Sequence, residues 1–412
     1  MTYGVPFAGR VDPAFGAVGE AFRSNFTRGA DGARDLGAAL CLIVGGRVVV
    51  DCWAGWRDIH SRRPWESDTL VNAYSVLKPV TAVLALSAVE QGLLDLDGRV
   101  SRDWPELAGE GTEGLTLRQV LSHRAGLPAV RPILTDDALY DWDAMCAALA
   151  VTDTWWEPGA AHGYHVNTFG FLAGEPVRRA HGSRFADALR DVVTGPLDLD
   201  LHIGVGGADL GRVADIDAPA PETLVRRSGD GHGDGHGAGD DAGGARRGDG
   251  GQGDGGDGDE HRRMLLHTYF NPPGLSGFGT VNSLEWRRAA IPSTNGHATA
   301  RAVAAFYAAL LPGASPAAVS PATLAEAITP HSVGHDIVLE RPSRFGLGLA
   351  LHMDERPVGA TTSAYGHYGY GGSLGFADPD AGVAFAYLIN RPGERWQNPR
   401  TRGLLDALRS CL

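Results

Sequence analysis

Tyr74-Ser75-Val76-Leu77-Lys78-Pro79 is the stretch of sequence around which the rest of the chain is arranged. The chain has 36 basic residues, and Lys78 is the only lysine among them. Arginine remains protonated in proteins, whereas a desolvated lysine can lose its proton. A single lysine in a sequence that otherwise uses arginine therefore indicates a proton acceptor. Ser75, three residues earlier, lies on the same helical face within reach of the amine; a surface lysine near an unrelated serine is the alternative.

The segment after this pair predicts a buried helix. Residues 80–94 are strongly apolar on all sides and end at Gly92 and a turn over 95–98. Ser75 would lie where the chain enters that helix, and the backbone N–H groups there have no intrahelical acceptor. Such groups stabilise an oxyanion. The pattern indicates acyl transfer through a serine, which also requires a second acid/base and a second N–H donor.

Composition and charge argue against two classes of partner. The 412 residues are 43% hydrophobic, and the formal charge is −13. Residues 228–261 contain nine acidic residues, two arginines and fifteen glycines, so a net charge of −7 lies in this one segment. An acidic chain argues against nucleic acid or an anionic membrane as partner. We interpret 228–261 as a disordered loop, in which His232 and His236 would hold a metal only weakly.

The sequence shows no sign of export or membrane insertion. No positively charged, apolar leader precedes residue 11, and no run of eighteen apolar residues occurs. The four cysteines are scattered, without a Cys-x-x-Cys pair, as in a cytosolic protein with reduced thiols. We therefore expect a cytoplasmic protein that uses no metal and no other cofactor.

Both ends of the chain predict β-strands, and its middle predicts helices. Residues 38–44 and 47–53 are rich in Val, Leu and Ile, and Gly45-Gly46 between them is typical of a hairpin turn. Further β-like segments lie at 345–353, 365–370 and 383–390.

The fold class that follows is α/β (α+β). We predict that residues 1–78 and 340–412 form an antiparallel sheet flanked by helices. A mostly helical region, 79–339, would be inserted between them and would contain the loop at 228–261.

Two later motifs supply the remaining candidates for acyl transfer. Tyr164, in the sequence Gly-Tyr-His-Val-Asn before a helix, is a candidate second acid/base; a tyrosine there is otherwise a packing residue. Residues 365–373 are rich in glycine, which on an edge strand allows a substrate to approach closely. The N–H of Tyr370 is a candidate second oxyanion donor, and His367 and Gly369 are candidate substrate-binding residues.

In this order and spacing, the three motifs resemble those of the class C β-lactamase-like serine hydrolases. That family includes penicillin-binding proteins, transacylases and the family VIII carboxylesterases, which are the most similar. The connecting sequence is similar as well, over 92–97, 117–128 and 345–348. The resemblance covers nearly the whole chain apart from the Gly/Asp insertion. It implies that Ser75 is acylated, that Lys78 and Tyr164 share the proton transfers, and that the third motif lines the oxyanion site.

Two positions depart from the β-lactamases and peptidases of that family. Val166 stands where they have the asparagine of Tyr-x-Asn, and Asn167 comes one residue late. His367 stands where they usually have lysine. The loss of an amide and of a permanent cation weakens the binding of a carboxylate-bearing substrate such as a penicillin, and favours a less polar ester.

The sequence therefore predicts a serine hydrolase that cleaves small-molecule carboxylic esters through a Ser75 acyl-enzyme. The alternatives are a transacylase with the same acyl-enzyme, a β-lactamase or D-amino-acid peptidase, and a catalytically dead binding protein. A second serine motif, Gly-x-Ser-x-Gly around Ser373, lacks the helix and the later histidine that a nucleophile elbow requires. Residues 376–379 after it predict a turn.

Overall fold

The computed structural model describes residues 4–27, 34–58, 60–218, 255–394 and 396–412. The strands are β1 Phe7–Val11, β2 Gly37–Val44, β3 Arg47–Gly55, β4 Val71–Asn72, β5 Leu201–Ile203, β6 Gly296–Ala298, β7 Ser332–Asp336, β8 Arg341–Phe345, β9 Ala350–Leu351, β10 Tyr365–Tyr368, β11 Leu374–Asp378 and β12 Val383–Ile389. The helices are α1 Gly16–Ser24, α2 Lys78–Glu90, α3 Leu117–Leu121, α4 Trp142–Ala150, α5 Phe169–His181, α6 Phe185–Leu189, α7 Gly255–Phe270, α8 Leu284–Arg288, α9 Ala300–Ala308, α10 Pro321–Ala327 and α11 Pro399–Arg409.

The larger sheet of the described chain joins the two ends of the sequence. It has nine strands in the order β1-β3-β2-β12-β11-β10-β9-β8-β7, and its neighbouring strands are antiparallel. β12 lies between β2 and β11, and the register pairs Val383 with Val44 and Ile389 with Ala38. The predicted antiparallel sheet, flanked by helices, is therefore confirmed.

The hairpin between β2 and β3 turns at the two glycines that the sequence indicated. Gly45 and Gly46 have φ of +54° and +77°. A two-residue turn of this kind needs positive φ at both positions, and glycine adopts it without a Cβ clash. The turn fixes the register of the hairpin that carries the N-terminal part of the sheet.

Helices cover both faces of the sheet because its central strand is apolar on both sides. In β12, Phe385 and Tyr387 pack in one core with α1 and α11, whereas Ala386 and Leu388 pack in the other core with α2 and α9. Successive strand residues point to opposite faces, so an uninterrupted apolar run is buried on both sides.

α2 is the buried helix that residues 80–94 predict. All residues from Lys78 to Leu86 are buried. Pro79 lies in its first turn, where a missing N–H costs no hydrogen bond. Gly92, with φ of +69°, follows its end in the left-handed conformation common after helices. The start of α2 therefore lies inside the larger core.

Three features differ from the predicted organisation. β4, β5 and β6 form a second antiparallel sheet within the region expected to be mostly helical. β7 begins at Ser332, so the large sheet extends to residues before 340. Residues 255–261, which we assigned to a disordered loop, form the start of α7. A salt bridge of 2.5 Å from Glu260 to Arg131 holds this part of the helix against the rest of the chain.

The remainder of the predicted loop, 228–254 with both of its histidines, lies outside the described residues. The four cysteines are free thiols. Among the described helices, none combines the length and the apolar character that crossing a bilayer requires.

Candidate active site

Ser75 lies in a 3-10 turn that leads directly into α2. Tyr74 before it has φ of +50°, in the left-handed region that residues other than glycine rarely adopt. Strain of that kind costs about 1–3 kcal/mol and persists where the surrounding structure enforces it. Ser75 is the second residue of the turn, so its N–H has no acceptor within the turn. The turn itself therefore leaves this N–H group available as a hydrogen-bond donor.

Lys78 is fully buried, and its Nζ lies within hydrogen-bond distance of three oxygen atoms. These are Ser75 Oγ at 3.0 Å, the carbonyl oxygen of Val166 at 2.7 Å and the carbonyl oxygen of Ser293 at 3.0 Å. Among the described residues, no carboxylate forms a salt bridge with this amine. Burial lowers the pKa of Lys78 well below its ordinary value, because the interior disfavours the charged form.

The neutral form of the amine matches these three oxygen atoms, because each of its N–H groups and its lone pair has one partner. It has two N–H donors and one lone pair. The carbonyl oxygens of Val166 and Ser293 accept the two N–H groups, which leaves the lone pair of Lys78 for the hydroxyl proton of Ser75. This is the geometry of a base hydrogen-bonded to a nucleophile.

Tyr164 lies in the turn before α5 and is fully buried beside this pair. Lys78 Nζ is 4.9 Å from the centroid of its ring, Phe345 stacks on the ring at 5.7 Å, and Trp396 contacts it edge-on at 5.6 Å. Burial raises the pKa of Tyr164 well above its ordinary value, and the nearby Ser75 hydroxyl opposes this only in part. The Tyr164 hydroxyl makes no hydrogen bond of normal geometry with the described residues. It is a buried phenol with free hydrogen-bonding capacity.

Two buried histidines hold the segment that carries Tyr164. His123 Nδ1 accepts the N–H of His165 at 3.2 Å, and its carbonyl oxygen accepts the N–H of Gly163 at 3.1 Å. His165 Nε2 accepts the N–H of Leu127 at 3.1 Å, so its Nδ1–H donates to the Gly163 carbonyl at 2.6 Å. Burial lowers the pKa of His165 to about 4 and that of His123 well below its ordinary value. Both rings are therefore neutral and support the turn.

His367, at the third motif, is a neutral ring stacked on Tyr164. The two ring centroids are 5.6 Å apart. Burial, with Lys78 nearby, lowers the pKa of His367 to about 3. Its Nδ1–H donates to the carbonyl of Tyr368 at 2.6 Å, which leaves Nε2 as a buried acceptor without a partner among the described residues. The position occupied by a permanent cation in the β-lactamases thus offers a hydrogen-bond acceptor here.

The third motif reaches Ser75 through Gly369 and Tyr370. A Cβ on Gly369 would lie 2.6 Å from the carbonyl oxygen of Ala73, so this strand packs directly on the residues beside the serine. The Tyr370 ring is 5.5 Å from that of Tyr74. Tyr370 begins a 3-10 turn, so its N–H has no acceptor within that turn. The structure therefore brings both candidate oxyanion donors to the same region.

Two of these glycines are required by packing within the chain, and β10 is an edge strand only over its second half. β10 pairs with β11 along its length and with β9 at its first two residues. A Cβ on Gly366 would meet the Gly375 carbonyl oxygen at 2.1 Å, and one on Gly371 would meet Pro392 at 2.2 Å. Packing within the chain itself therefore requires the glycines. Only from His367 onwards does β9 cease to pair with β10.

The two carbonyl partners of Lys78 are residues that sequence reasoning missed. Val166 occupies the position of the family's asparagine, and its backbone oxygen contacts the lysine. Asn167, one residue later, bonds elsewhere: its amide donates to the Thr268 carbonyl and its oxygen accepts the Thr294 hydroxyl, each at 2.8 Å. Ser293 offers no sequence signal, because any residue type supplies a backbone carbonyl.

Ser373 is not a nucleophile. It is buried and its Oγ accepts the N–H of Ile389 at 3.2 Å. A strand, β11, follows it where a nucleophile elbow needs a helix. The turn predicted over 376–379 is wrong, because residues 376–378 belong to β11 and pair with β12.

The fold and the site together define a class: this protein is a serine hydrolase. A buried amine 3.0 Å from a serine hydroxyl and beside a buried phenol agrees with this class, because such a group can act as the base for a serine nucleophile. The chain belongs to the beta-lactamase family, whose model matches residues 22–408.

Relatives of this chain cover almost its full length. It is 32% identical over 396 residues to the esterase/beta-lactamase LipL of Mycobacterium tuberculosis, which spans 93% of this chain and 82% of that protein. The crystal structure of a family VIII carboxylesterase is 31% identical with a TM-score of 0.80, over 99% of this chain and 100% of the other. A penicillin-binding protein homologue from Caulobacter crescentus is 34% identical with a TM-score of 0.80, over the same shares.

Proposed function

We propose that this protein is a carboxylesterase that cleaves small, uncharged esters through an acyl-enzyme on Ser75. The observation that carries the proposal is the 3.0 Å contact between the buried Lys78 amine and the Ser75 hydroxyl. Burial without a carboxylate partner favours the neutral amine, which is the form that takes a proton from Ser75.

Acylation begins when Lys78 takes the hydroxyl proton of Ser75. The Ser75 oxygen forms a bond to the ester carbonyl carbon, and the N–H groups of Ser75 and Tyr370 donate to the oxyanion. The bond to the alcohol oxygen then breaks. Tyr164 gives that oxygen its proton and is reprotonated by the Lys78 ammonium, so the alcohol leaves neutral.

Deacylation reverses these roles with water as the nucleophile. The neutral Lys78 and Tyr164 pair takes one proton from water while the water oxygen bonds to the acyl carbon. The bond to the Ser75 oxygen breaks, the serine recovers its proton, and the carboxylic acid leaves. One ester and one water give one acid and one alcohol.

The surroundings of the site favour an uncharged ester. His367 is neutral and offers an acceptor atom, which repels a substrate carboxylate. The ring of Tyr370 makes edge-to-face contacts with the rings of Tyr74, at 5.5 Å, and Phe278, at 5.8 Å. Aromatic rings provide apolar contact area for an acyl or alcohol group. The name of the LipL relative and the carboxylesterase structure agree with this substrate class.

A comparison of ester and β-lactam turnover tests the proposal. We expect faster turnover of a short-chain p-nitrophenyl ester than of a chromogenic cephalosporin, and labelling of Ser75 by a fluorophosphonate. Ser75→Ala should lower kcat/KM by about 10³-fold or more. Lys78→Arg keeps the charge but removes the base, and should be as inactive. Ser87→Ala, further along α2, is the matched serine control and should keep full activity.

Three outcomes would redirect or end the proposal. An active Ser75→Ala enzyme with an intact fold would remove the serine as nucleophile. Faster hydrolysis of the cephalosporin would move the substrate class to β-lactams, which the LipL name also includes. Acyl transfer to an added alcohol that outpaces release of the acid would make the protein a transacylase.

A further inference from the structure

A buried carboxylate, Asp336, lies next to the site and has no part in the mechanism above. It ends β7 and is fully buried. Its Oδ1 accepts the backbone N–H groups of Tyr164 at 3.0 Å, Val338 at 3.0 Å and Leu339 at 2.9 Å. Its Oδ2 accepts the hydroxyl of Ser343 at 2.9 Å. Four hydrogen bonds from the chain thus fix the position of this carboxylate.

These contacts tie three separate parts of the chain together around Tyr164. His162 Nε2 lies 3.0 Å from the Ser343 hydroxyl, so the network holds the Tyr164 segment at His162 as well as at the Tyr164 N–H. Leu339, in the turn that Asp336 caps, packs with Tyr164 in one apolar cluster. The turn between β7 and β8 is thereby fixed to the segment that presents the phenol.

The charge of Asp336 also acts on the phenol. The titratable groups that face Tyr164 are Lys78 from α2, His123 after α3, His367 from β10, Tyr269 from α7 and Asp336 from β7. The two histidines are neutral because burial lowers the pKa of each. After burial itself, Tyr269 and Asp336 both raise the pKa of Tyr164. A negative charge nearby opposes loss of the phenol proton.

We infer that Asp336 is a positioning residue that fixes Tyr164 through its backbone N–H and whose charge adds to the effect of burial, so that the phenol is the proton donor to the leaving alcohol. The inference rests on the proposed function. It also states which member of the Lys78–Tyr164 pair holds the proton before acylation. With the phenol protonated, Lys78 is the member that takes the proton of Ser75. The β7–β8 hairpin then serves the site by carrying this carboxylate.

Site-specific 3,5-difluorotyrosine at position 164 tests the inference, because its ¹⁹F shift reports ionisation of this phenol alone. In the otherwise unchanged full-length protein, we expect the midpoint of the phenol's pH titration to lie above that of free difluorotyrosine in the same buffer. Asp336→Asn retains an acceptor oxygen for the three N–H groups but removes the charge, and should lower the midpoint by one pH unit or more.

Two control variants separate charge from structure. Ser343→Ala breaks one bond of the network but keeps the carboxylate, and should leave the midpoint in place. Asp378 is equally buried and also accepts two backbone N–H groups and two hydroxyls, from residues 360, 361 and 363. Asp378→Asn should leave the midpoint unchanged. A wild-type midpoint at or below that of free difluorotyrosine, or no shift in Asp336→Asn, overturns the inference.

Kinetics with two leaving groups complete the test. Asp336→Ala loosens Tyr164, so turnover of an alkyl ester, which needs a proton donor, should fall at least 10-fold more than turnover of a p-nitrophenyl ester. An equal fall for both esters would mean that Asp336 only stabilises the fold. An active and folded Ser75→Ala enzyme would mean that the proposed function has failed. Full activity of Tyr164→Phe on alkyl esters, or an unshifted Asp336→Asn beside an inactive Ser75→Ala, would overturn only the role of Asp336.

Discussion

At the scale of single residues, Lys78 shows how this fold treats a buried amine. The buried carboxylate of Glu175 is paired with two cations, Arg178 at 2.7 Å and Arg179 at 2.6 Å. Lys78 contacts oxygen atoms of Ser75 and of two backbone carbonyls, which bear no formal charge. An ammonium buried without a counter-ion is costly, and this cost lowers the pKa of Lys78. In the proposed mechanism, this lack of a counter-ion gives the amine its basicity toward Ser75.

The protonation of Lys78 is directly measurable because the sequence contains one lysine. Protein labelled with ¹³Cε-lysine should give a single Cε signal, at the shift of a neutral amine at pH 8. Since burial lowers the pKa of Lys78, the base is present above that pKa, and ester turnover should fall as the pH drops through it. The urea-unfolded protein, as control, should titrate near 10.4. An ammonium shift that persists to pH 10 would contradict the role of Lys78 as base.

At the scale of secondary-structure elements, the site depends on how closely β10 approaches the turn before α2. Gly369 follows the end of β10 and packs on Ala73 and Val76, which flank Ser75. A side chain at this position would push the third motif away from the serine. The distance between the two candidate oxyanion donors is therefore set by an element contact.

Gly369→Ala should damage catalysis by this route. The added methyl would lie 2.6 Å from the Ala73 carbonyl oxygen and 3.0 Å from Val76, so the two segments must separate. A displacement of about 1 Å costs about 10²-fold in rate, and we expect a loss of that size in kcat on esters. Gly403→Ala, in α11 with open space around it, is the control. It should keep kcat and add up to about 1 kcal/mol of stability. Equal kcat in both variants would contradict the proposed contact.

At the scale of the whole molecule, the core contains several histidines that are kept neutral. Burial lowers the pKa of His297 and of His367 to about 3, and that of His165 to about 4. In the unfolded chain each would titrate near 6.5. As the pH falls from about 6.5 toward 3, the unfolded chain binds protons that the folded chain excludes. Stability is therefore lost in this window, by about 1.4 kcal/mol per pH unit for each group.

His297→Phe should flatten this pH dependence. His297 is fully buried in β6, and neither of its ring nitrogens makes a hydrogen bond of normal geometry with the described residues. A phenyl ring of similar size removes the titration, so the loss of unfolding free energy between pH 6.5 and 4.5 should shrink by about 1.4 kcal/mol per pH unit. Urea unfolding at several pH values measures it. His335→Asn, at an exposed position, is the control and should leave the slope of unfolding free energy against pH unchanged. The same slope in His297→Phe as in the unaltered protein would contradict the view that the core excludes protons.

The sequence by itself determined the elements and their chemistry. One lysine three residues after a serine, an apolar helix behind it, and strand patterns at both chain ends are properties of local sequence, and local periodicity reports them. The loss of the motif asparagine at Val166 and of the cation at His367 was also visible there.

Only the tertiary structure decided how the site is completed. The two carbonyl partners of Lys78 come from 88 and 215 residues away in the chain, and Asp336 is 172 residues from Tyr164. Every residue type has a backbone carbonyl, so the sequence does not show which carbonyls will contact Lys78. A single aspartate in a strand pattern likewise does not show from which N–H group it will accept a hydrogen bond. The packing of distant segments excludes water from the cluster. That exclusion, which sequence does not encode locally, sets the pKa values on which the chemistry depends.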